Sequence, residues 1–268
     1  MAVWAEQLQK CMSDKTAGKE ISLLCFDVTD STNLEAERQA LAGAPDGLLI
    51  VADEQQKGRG RRGRDWESPA GNNIFMTLLL RPSFSPDKAS MVTLVMALAV
   101  ARAIREETGL EAEIKWPNDI VIGGKKTVGI LTELAVEAGN IKHLICGVGV
   151  NVNQKVFPAQ ICKTATSLSL ESGREIDRIT LICRIMRCFW ADYESFCKRG
   201  DLEDLMPAYN ALLVNKDREV RVLDPAGEYR GIARGVNSKG ELLVEKEDGG
   251  IEAVYAGEVS VRGIYGYV

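Results

Sequence analysis

Between Ala112 and Val152 four apolar runs follow one another with connections too short to bring a strand back in parallel. The runs are Ala112 to Trp116, Ile120 to Ile122, Val128 to Val136 and Ile141 to Val152, separated by Pro117-Asn118-Asp119, Gly123-Gly124-Lys125 and Ala138-Gly139-Asn140. A parallel crossover needs about a dozen residues, so these runs are expected to pair as antiparallel neighbours. Upstream, Ile21 to Val28, Gly47 to Ala52 and Ile74 to Leu80 read as strands. Helical segments are expected over residues 1–20, Leu34 to Ala42 (capped by Ser31 or Thr32), Ala89 to Glu107, Ile179 to Lys198 and Leu202 to Leu212. Gly109 stops the third of these. Strands and helices that do not alternate regularly point to an α+β class.

After about Asn215 the pattern changes. Five short β-rich runs, Glu219 to Leu223, Glu228 to Val236, Glu241 to Lys246, Ile251 to Ala256 and Val259 to Val261, alternate with turns such as Asp224-Pro225-Ala226-Gly227 and Asn237-Ser238-Lys239-Gly240. Such close spacing suggests a small barrel, and divides the chain into residues 1–214 and 215–268.

Composition removes several classes of chemistry. A single histidine, His143, lies in an apolar strand-like stretch and is read as structural, so multi-imidazole sites are excluded. The seven cysteines are scattered with no Cys-x-x-Cys, so no zinc or redox motif is visible, and scattered thiols suit a reducing compartment. No metal-ligand cluster is apparent. The formal charge of −5 opposes a chain coated in nucleic acid. The start lacks a signal peptide, and the longest uncharged run, Met91 to Ala101, falls well short of the ~20 residues needed to span a bilayer. A soluble cytoplasmic protein is expected.

Three motifs carry the chemistry. Gly58-Arg59-Gly60-Arg61-Arg62-Gly63 matches the dinucleotide pattern G-x-G-x-x-G by letter, but Pro69 and Gly71 stand where its helix would run. What remains is a glycine-spaced loop bearing Arg59, Arg61, Arg62 and Arg64, suited to wrapping an anion with guanidinium forks or to remaining a solvated basic loop. The second is Lys115-Trp116-Pro117-Asn118-Asp119, where Lys115 is either a snorkelling side chain or a cation aimed at a site. The third is the glycine set: Gly129, then Gly147 and Gly149 followed by Asn151 on one strand face. It fits a bare floor under a flat ligand, or relief of crowding in a twisted sheet.

In this order, and with Asp30-Ser31-Thr32-Asn33 and Gly129-Ile130-Leu131-Thr132-Glu133-Leu134, the motifs resemble those of the biotin protein ligases, from about Phe26 to the C-terminus. The resemblance implies a fold related to class II aminoacyl-tRNA synthetases, with a mixed, largely antiparallel sheet flanked by helices and a small C-terminal SH3-like β-barrel. It implies ATP and biotin as substrates, with Mg²⁺, and two steps: formation of biotinyl-5′-AMP, then transfer to a lysine of a biotin carboxyl carrier protein. Carried over by position, Ser31, Thr32, Gln55, Arg59, Gly60, Arg61, Lys115, Gly129, Leu131, Gly147 and Gly149 are expected to contact biotin. Arg61, Arg64, Trp66, Lys115, Asn118 and Asn151 are expected near the nucleotide. Lys115 and Arg61 are the expected catalytic cations, and Asp119 is a candidate base for the acceptor amine.

Some members of that family carry an N-terminal DNA-binding module. Only about 25 residues precede the Phe26 strand here, so a ligase without repressor function or DNA partner is expected. A homodimer through an exposed β-edge stays open. The rival readings are a lipoate or octanoate ligase or transferase of the same fold, and an RNA-binding protein using the arginine loop. Binding to a phosphate backbone draws on many cations, which the net charge disfavours.

Overall fold

A computed structural model describes residues 2–15, 21–224, 227–256, 260–263 and 268. The chain runs α1 (Ala2–Lys15), β1 (Leu23–Thr29), α2 (Thr32–Leu41), β2 (Leu48–Gln55), β3 (Ile74–Leu80), α3 (Ala89–Thr108), β4 (Glu113–Lys115), β5 (Asp119–Ile122), β6 (Lys125–Glu137) and β7 (Asn140–Val150). There follow α4 (Leu168–Ser172), α5 (Arg178–Arg199), α6 (Met206–Leu212), β8 (Glu219–Asp224), β9 (Gly227–Val236), β10 (Leu242–Glu245), β11 (Ile251–Val254) and β12 (Ser260–Gly263). The expected residues 16–20 of the first helix and Val259 of the last strand lie outside the described residues. α4 was not legible in the sequence.

The first seven strands form one sheet in the order β1-β2-β3-β7-β6-β5-β4. Every described pairing in it is antiparallel except β1 with β2, whose connection contains α2. The sheet is covered on both sides, which explains why β3 is apolar almost without interruption and buried along its whole length. Ile74, Met76, Leu78 and Leu80 face α3 and α5, while Leu79 faces α2 with Ala36, Ala40, Ile50 and Ile145. α2 covers only part of that second face. The uncovered part lies over β3, β7 and β6, where the pairings Thr77↔Gly147↔Leu131 and Phe75↔Gly149↔Gly129 set two rows side by side.

The remaining strands form a five-stranded antiparallel sheet, β11-β10-β9-β8-β12, where the turn pattern predicts a small barrel. Its apolar face joins the main core: Val220, Val222, Ala233, Leu242 and Val244 belong to the same buried cluster as α3 and α5. The Trp116 indole N–H donates to the Gly240 carbonyl at 3.1 Å. Gly240 has a φ of +78°, and a Cβ there would lie 3.1 Å from Leu94.

Cysteine pairing departs from the expectation of free thiols. Cys11 of α1 and Cys183 of α5 are disulfide-bonded, 172 positions apart in sequence, because α1 buries Leu8 and Met12 against α5. Cys25, Cys146, Cys162, Cys188 and Cys197 are free. Among the described residues no helix is long and apolar enough to cross a membrane.

Candidate active site

The loop after β2 folds as a flap. Trp66 N donates to Gly58 O at 3.0 Å and Gly60 N donates to Arg64 O at 2.7 Å, with a single 3₁₀ turn over Arg61–Gly63. This narrow double-back is closed by backbone hydrogen bonds and lays the flap over the exposed rows of β7 and β6. Glycine is required beneath it. A Cβ on Gly149 would lie 2.6 Å from Trp66 Nε1, and one on Gly129 would lie 2.8 Å from Trp66 Cζ3. The flat group resting on the glycine floor is therefore the chain's own indole, whose N–H is buried without a hydrogen-bond partner. Gly147 makes room for Asn33 in the same way.

The start of α2 forms the opposite wall. Asp30 accepts from Ser31 N at 2.7 Å and from Arg38 Nη1 and Nη2 at 3.0 and 2.8 Å. The Arg38 guanidinium holds the Asp30 carboxyl well below the usual carboxylate range. That fixed turn presents Ser31, Thr32 and Asn33, all buried. Gln55 Oε1 accepts from Thr32 N at 2.8 Å and from Thr32 Oγ1 at 3.0 Å, and Gln55 Nε2 donates to Ser68 Oγ at 3.0 Å. Ser31 caps α2 by position but makes no side-chain capping bond.

Between flap and wall lies a small cavity of about 50 Å³. Of the residues singled out in the sequence, Ser31, Thr32, Gln55, Arg59, Gly60, Arg61, Trp66, Asn118, Gly129, Leu131, Gly147 and Gly149 line it. Arg61 Nη1 donates to Asn118 Oδ1 at 2.9 Å, and Asn118 Nδ2 donates to Ile130 O at 3.1 Å. Burial lowers the Arg61 pKa, the Asp119 carboxylate opposes that effect, and Arg62 adds to it. The cavity opens into a larger one of about 910 Å³, with Arg61, Asn118, Ile130 and Leu131 common to both. Its far wall is made by Ala89, Ser90 and Thr93 at the start of α3 and by Leu223, Glu228 and Tyr255 of the C-terminal sheet.

Three of the expected residues line neither cavity. Lys115 is buried at the end of β4, in register with Asp119. Asn151 is buried, its amide donating to Thr166 O at 3.1 Å. Arg64 is exposed on the flap. The lysine that does line the small cavity is Lys126, which the sequence reading passed over. Its Nζ lies 2.6 Å from Asp119 Oδ1 and 5.2 Å from the Trp66 ring centroid. Asn33 was likewise not assigned a role. His143 lines neither cavity. It is buried on β7, with Nε2 2.7 Å from Glu37 Oε2.

An arginine flap thus lies over a glycine-faced antiparallel sheet joined to a small C-terminal sheet, and comparisons place this arrangement among ligases. Residues 25–151 match the model of the biotin/lipoate A/B protein ligase family, and residues 217–262 match the biotin protein ligase C-terminal domain. Relatives sharpen the assignment. The bifunctional ligase/repressor BirA of Bacillus subtilis is 40% identical over 243 residues, 89% of this chain and 74% of that one. The biotin–[acetyl-CoA-carboxylase] ligase of Paracoccus denitrificans is 32% identical over 88% of this chain and 98% of its own length. The biotin protein ligase of Aquifex aeolicus, solved in complex with biotin and ATP, superposes with a TM-score of 0.79 at 30% identity, covering 90% of this chain and 99% of that one. The chain belongs to the biotin protein ligase family.

Proposed function

We propose that this chain condenses biotin with ATP to give biotinyl-5′-AMP and pyrophosphate, then transfers the biotinyl group to a lysine of a biotin carboxyl carrier protein in the cytoplasm. Residues 1–214 act as the catalytic unit and 215–268 complete the wall of the larger cavity. The observation that carries this reading is the convergence of Lys126 and Arg61 on one small cavity beneath a closable flap.

The first step sets a carboxylate against a triphosphate, two groups that repel. Cations fixed in advance where negative charge gathers lower that barrier most. Lys126 and Arg61 hold this position, and Arg59 and Arg62 extend the positive field along the flap. Biotin occupies the small cavity, which has to widen as the flap gives way to admit it, with its polar end toward Ser31, Thr32 and Gln55 and its carboxylate toward Lys126; the nucleotide extends into the larger cavity past Asn118. Lys115, the expected central cation, is buried at the end of β4 in register with Asp119 and stands one residue pair away from this arrangement. Arg64 and Asn151, the other expected nucleotide contacts, stand at its margin.

The carboxylate attacks the α-phosphorus and pyrophosphate leaves. The product is a mixed anhydride that water would destroy, so the flap, with Trp66 seated on the glycines, has to exclude water until the acceptor arrives. The acceptor amine then attacks the acyl carbon and AMP leaves. Asp119, the candidate base, is engaged by Lys126 at 2.6 Å, which favours a role in positioning that lysine. Among the described residues no three His, Cys, Asp or Glu side chains are grouped as a metal site. A Mg²⁺ held chiefly by substrate phosphates and water would need few protein carboxylates and would offset phosphate charge.

The test is biotin-dependent ATP–pyrophosphate exchange with mass detection of biotinyl-5′-AMP. Exchange with biotin and none with lipoate is expected. Exchange driven by lipoate would move the chain to the rival ligase class, and salt-sensitive RNA binding without exchange would replace the reading altogether.

A further inference from the structure

β6 carries a carboxylate on the face that receives two anionic substrates. Glu133 follows Gly129 and Leu131 at two-residue steps, so it projects to their side of the sheet. An acid there opposes the charge the site has to gather, unless its oxygens are committed elsewhere. They are, and to different elements. Oε2 accepts from Asn33 Nδ2 at 2.7 Å, and Oε1 lies 3.4 Å from Arg59 Nη1 of the flap. Asn33 is fixed in turn by Thr77, whose hydroxyl lies 2.7 Å from Asn33 Oδ1. One side chain thus joins the arginine flap to the opposite wall of the small cavity.

We propose that Glu133 is a positioning residue that latches the flap through Arg59 while holding Asn33, and so sets how long the adenylate is retained. This rests on the reading of the site as adenylate-forming. The Asn33 arm is part-buried and starts from a buried residue, whereas the Arg59 arm lies between two partly exposed side chains. A solvated ion pair is individually weak, as suits a latch that opens to admit substrate.

Glu133→Gln keeps an acceptor for Asn33 and removes the charge that holds Arg59. Trypsin cuts after the flap arginines, so in the protein without ligand Glu133→Gln is expected to be cleaved there about three- to fivefold faster than the parent, the factor of one exposed ion pair. Release of biotinyl-5′-AMP should quicken by a similar factor. The KM for biotin should rise with it, and kcat of exchange should change less. Arg59→Gln should match Glu133→Gln in both readouts at the remaining flap arginines, and the double variant should add nothing. Equal cleavage rates in Glu133→Gln and parent would overturn the latch, as would additive single effects. If the parent forms no biotinyl-5′-AMP, the functional reading fails while proteolysis still decides the latch.

Discussion

Gly147→Ala examines the packing of the site wall directly. A Cβ built on Gly147 overlaps Asn33 Oδ1 and lies 2.8 Å from Asn33 Cγ and 3.0 Å from Nδ2. The whole amide must move away, and every bond it makes is at stake. Asn33 Oδ1 accepts from the buried Thr77 hydroxyl, and Nδ2 donates to the Glu133 carboxylate at 2.7 Å. A neutral hydrogen bond contributes about 1 kcal/mol and one to a charged group about 1.5–3 kcal/mol. Losing both therefore costs about 2.5–4 kcal/mol. For a chain of this size each kcal/mol lowers Tm by about 2–4 °C, so the midpoint should fall by roughly 5–15 °C in calorimetry. The control is the cycle with Asn33→Ala. Once the amide is gone the added methyl has space, and Gly147→Ala should then cost under about 1 kcal/mol, a large non-additivity for neighbouring residues. A Gly147→Ala melt within 1 °C of the parent, or equal costs in both backgrounds, would refute the argument.

The two lysines should separate in their effects. Lys126→Ala is expected to slow biotin-dependent exchange by about 10²–10³-fold, the loss seen when one fixed charge-stabilising donor is removed. Lys115→Ala should act mainly on the melting temperature; a larger kinetic loss for Lys115→Ala would return the catalytic role to it. Thiol accessibility is also ordered. Burial pushes the Cys25 thiol up to about 11 and the Cys146 thiol up to about 12, so iodoacetamide at pH 8 should modify exposed Cys162 and Cys197 first, read by peptide mass. The same shift makes stability depend on pH. The folded chain keeps the Cys146 proton to about pH 12 while the unfolded chain releases it near 9. The contribution is thus complete below about pH 9 and declines as pH rises from there, by at most about 1.4 kcal/mol per unit. Urea midpoints at pH 8 and 10 should show the decline, and Cys146→Ala should lessen it, the half-buried Cys25 thiol carrying part of the remainder.

Much of the scaffold was legible because its signals are local. Ile74 to Leu80 is a strand in sequence and in space, and the short turns from Pro117 to Asn140 leave antiparallel pairing as the only geometry. Lys126 was not legible, for a definite reason. It stands three residues before Gly129, and strict alternation puts positions three apart on opposite faces. The pairing with β5 shifts, Val128 opposing Ile120 and Lys126 opposing Val121, so Thr127 is an extra residue and the strand turns Lys126 toward the site. A bulge of this kind depends on the partner strand, which no local pattern reveals. The glycine floor was visible as a floor, but its occupant was not, because Trp66 reaches it only after the flap doubles back. The Cys11–Cys183 link is hidden for the same reason: it joins helices that meet only after folding.

The hydrogen bond from Trp116 to Gly240 couples the two sheets at the edge of the site. The tryptophan beside the turn that carries Asn118 finds its acceptor 124 positions later. Gly240 belongs to the segment that joins β9 to β10, so the anchor ties the catalytic sheet to the C-terminal one. The turn bearing Asn118, which lines both cavities, is thus held next to a residue of the C-terminal sheet's own turn, so a change at Gly240 should be felt at the site.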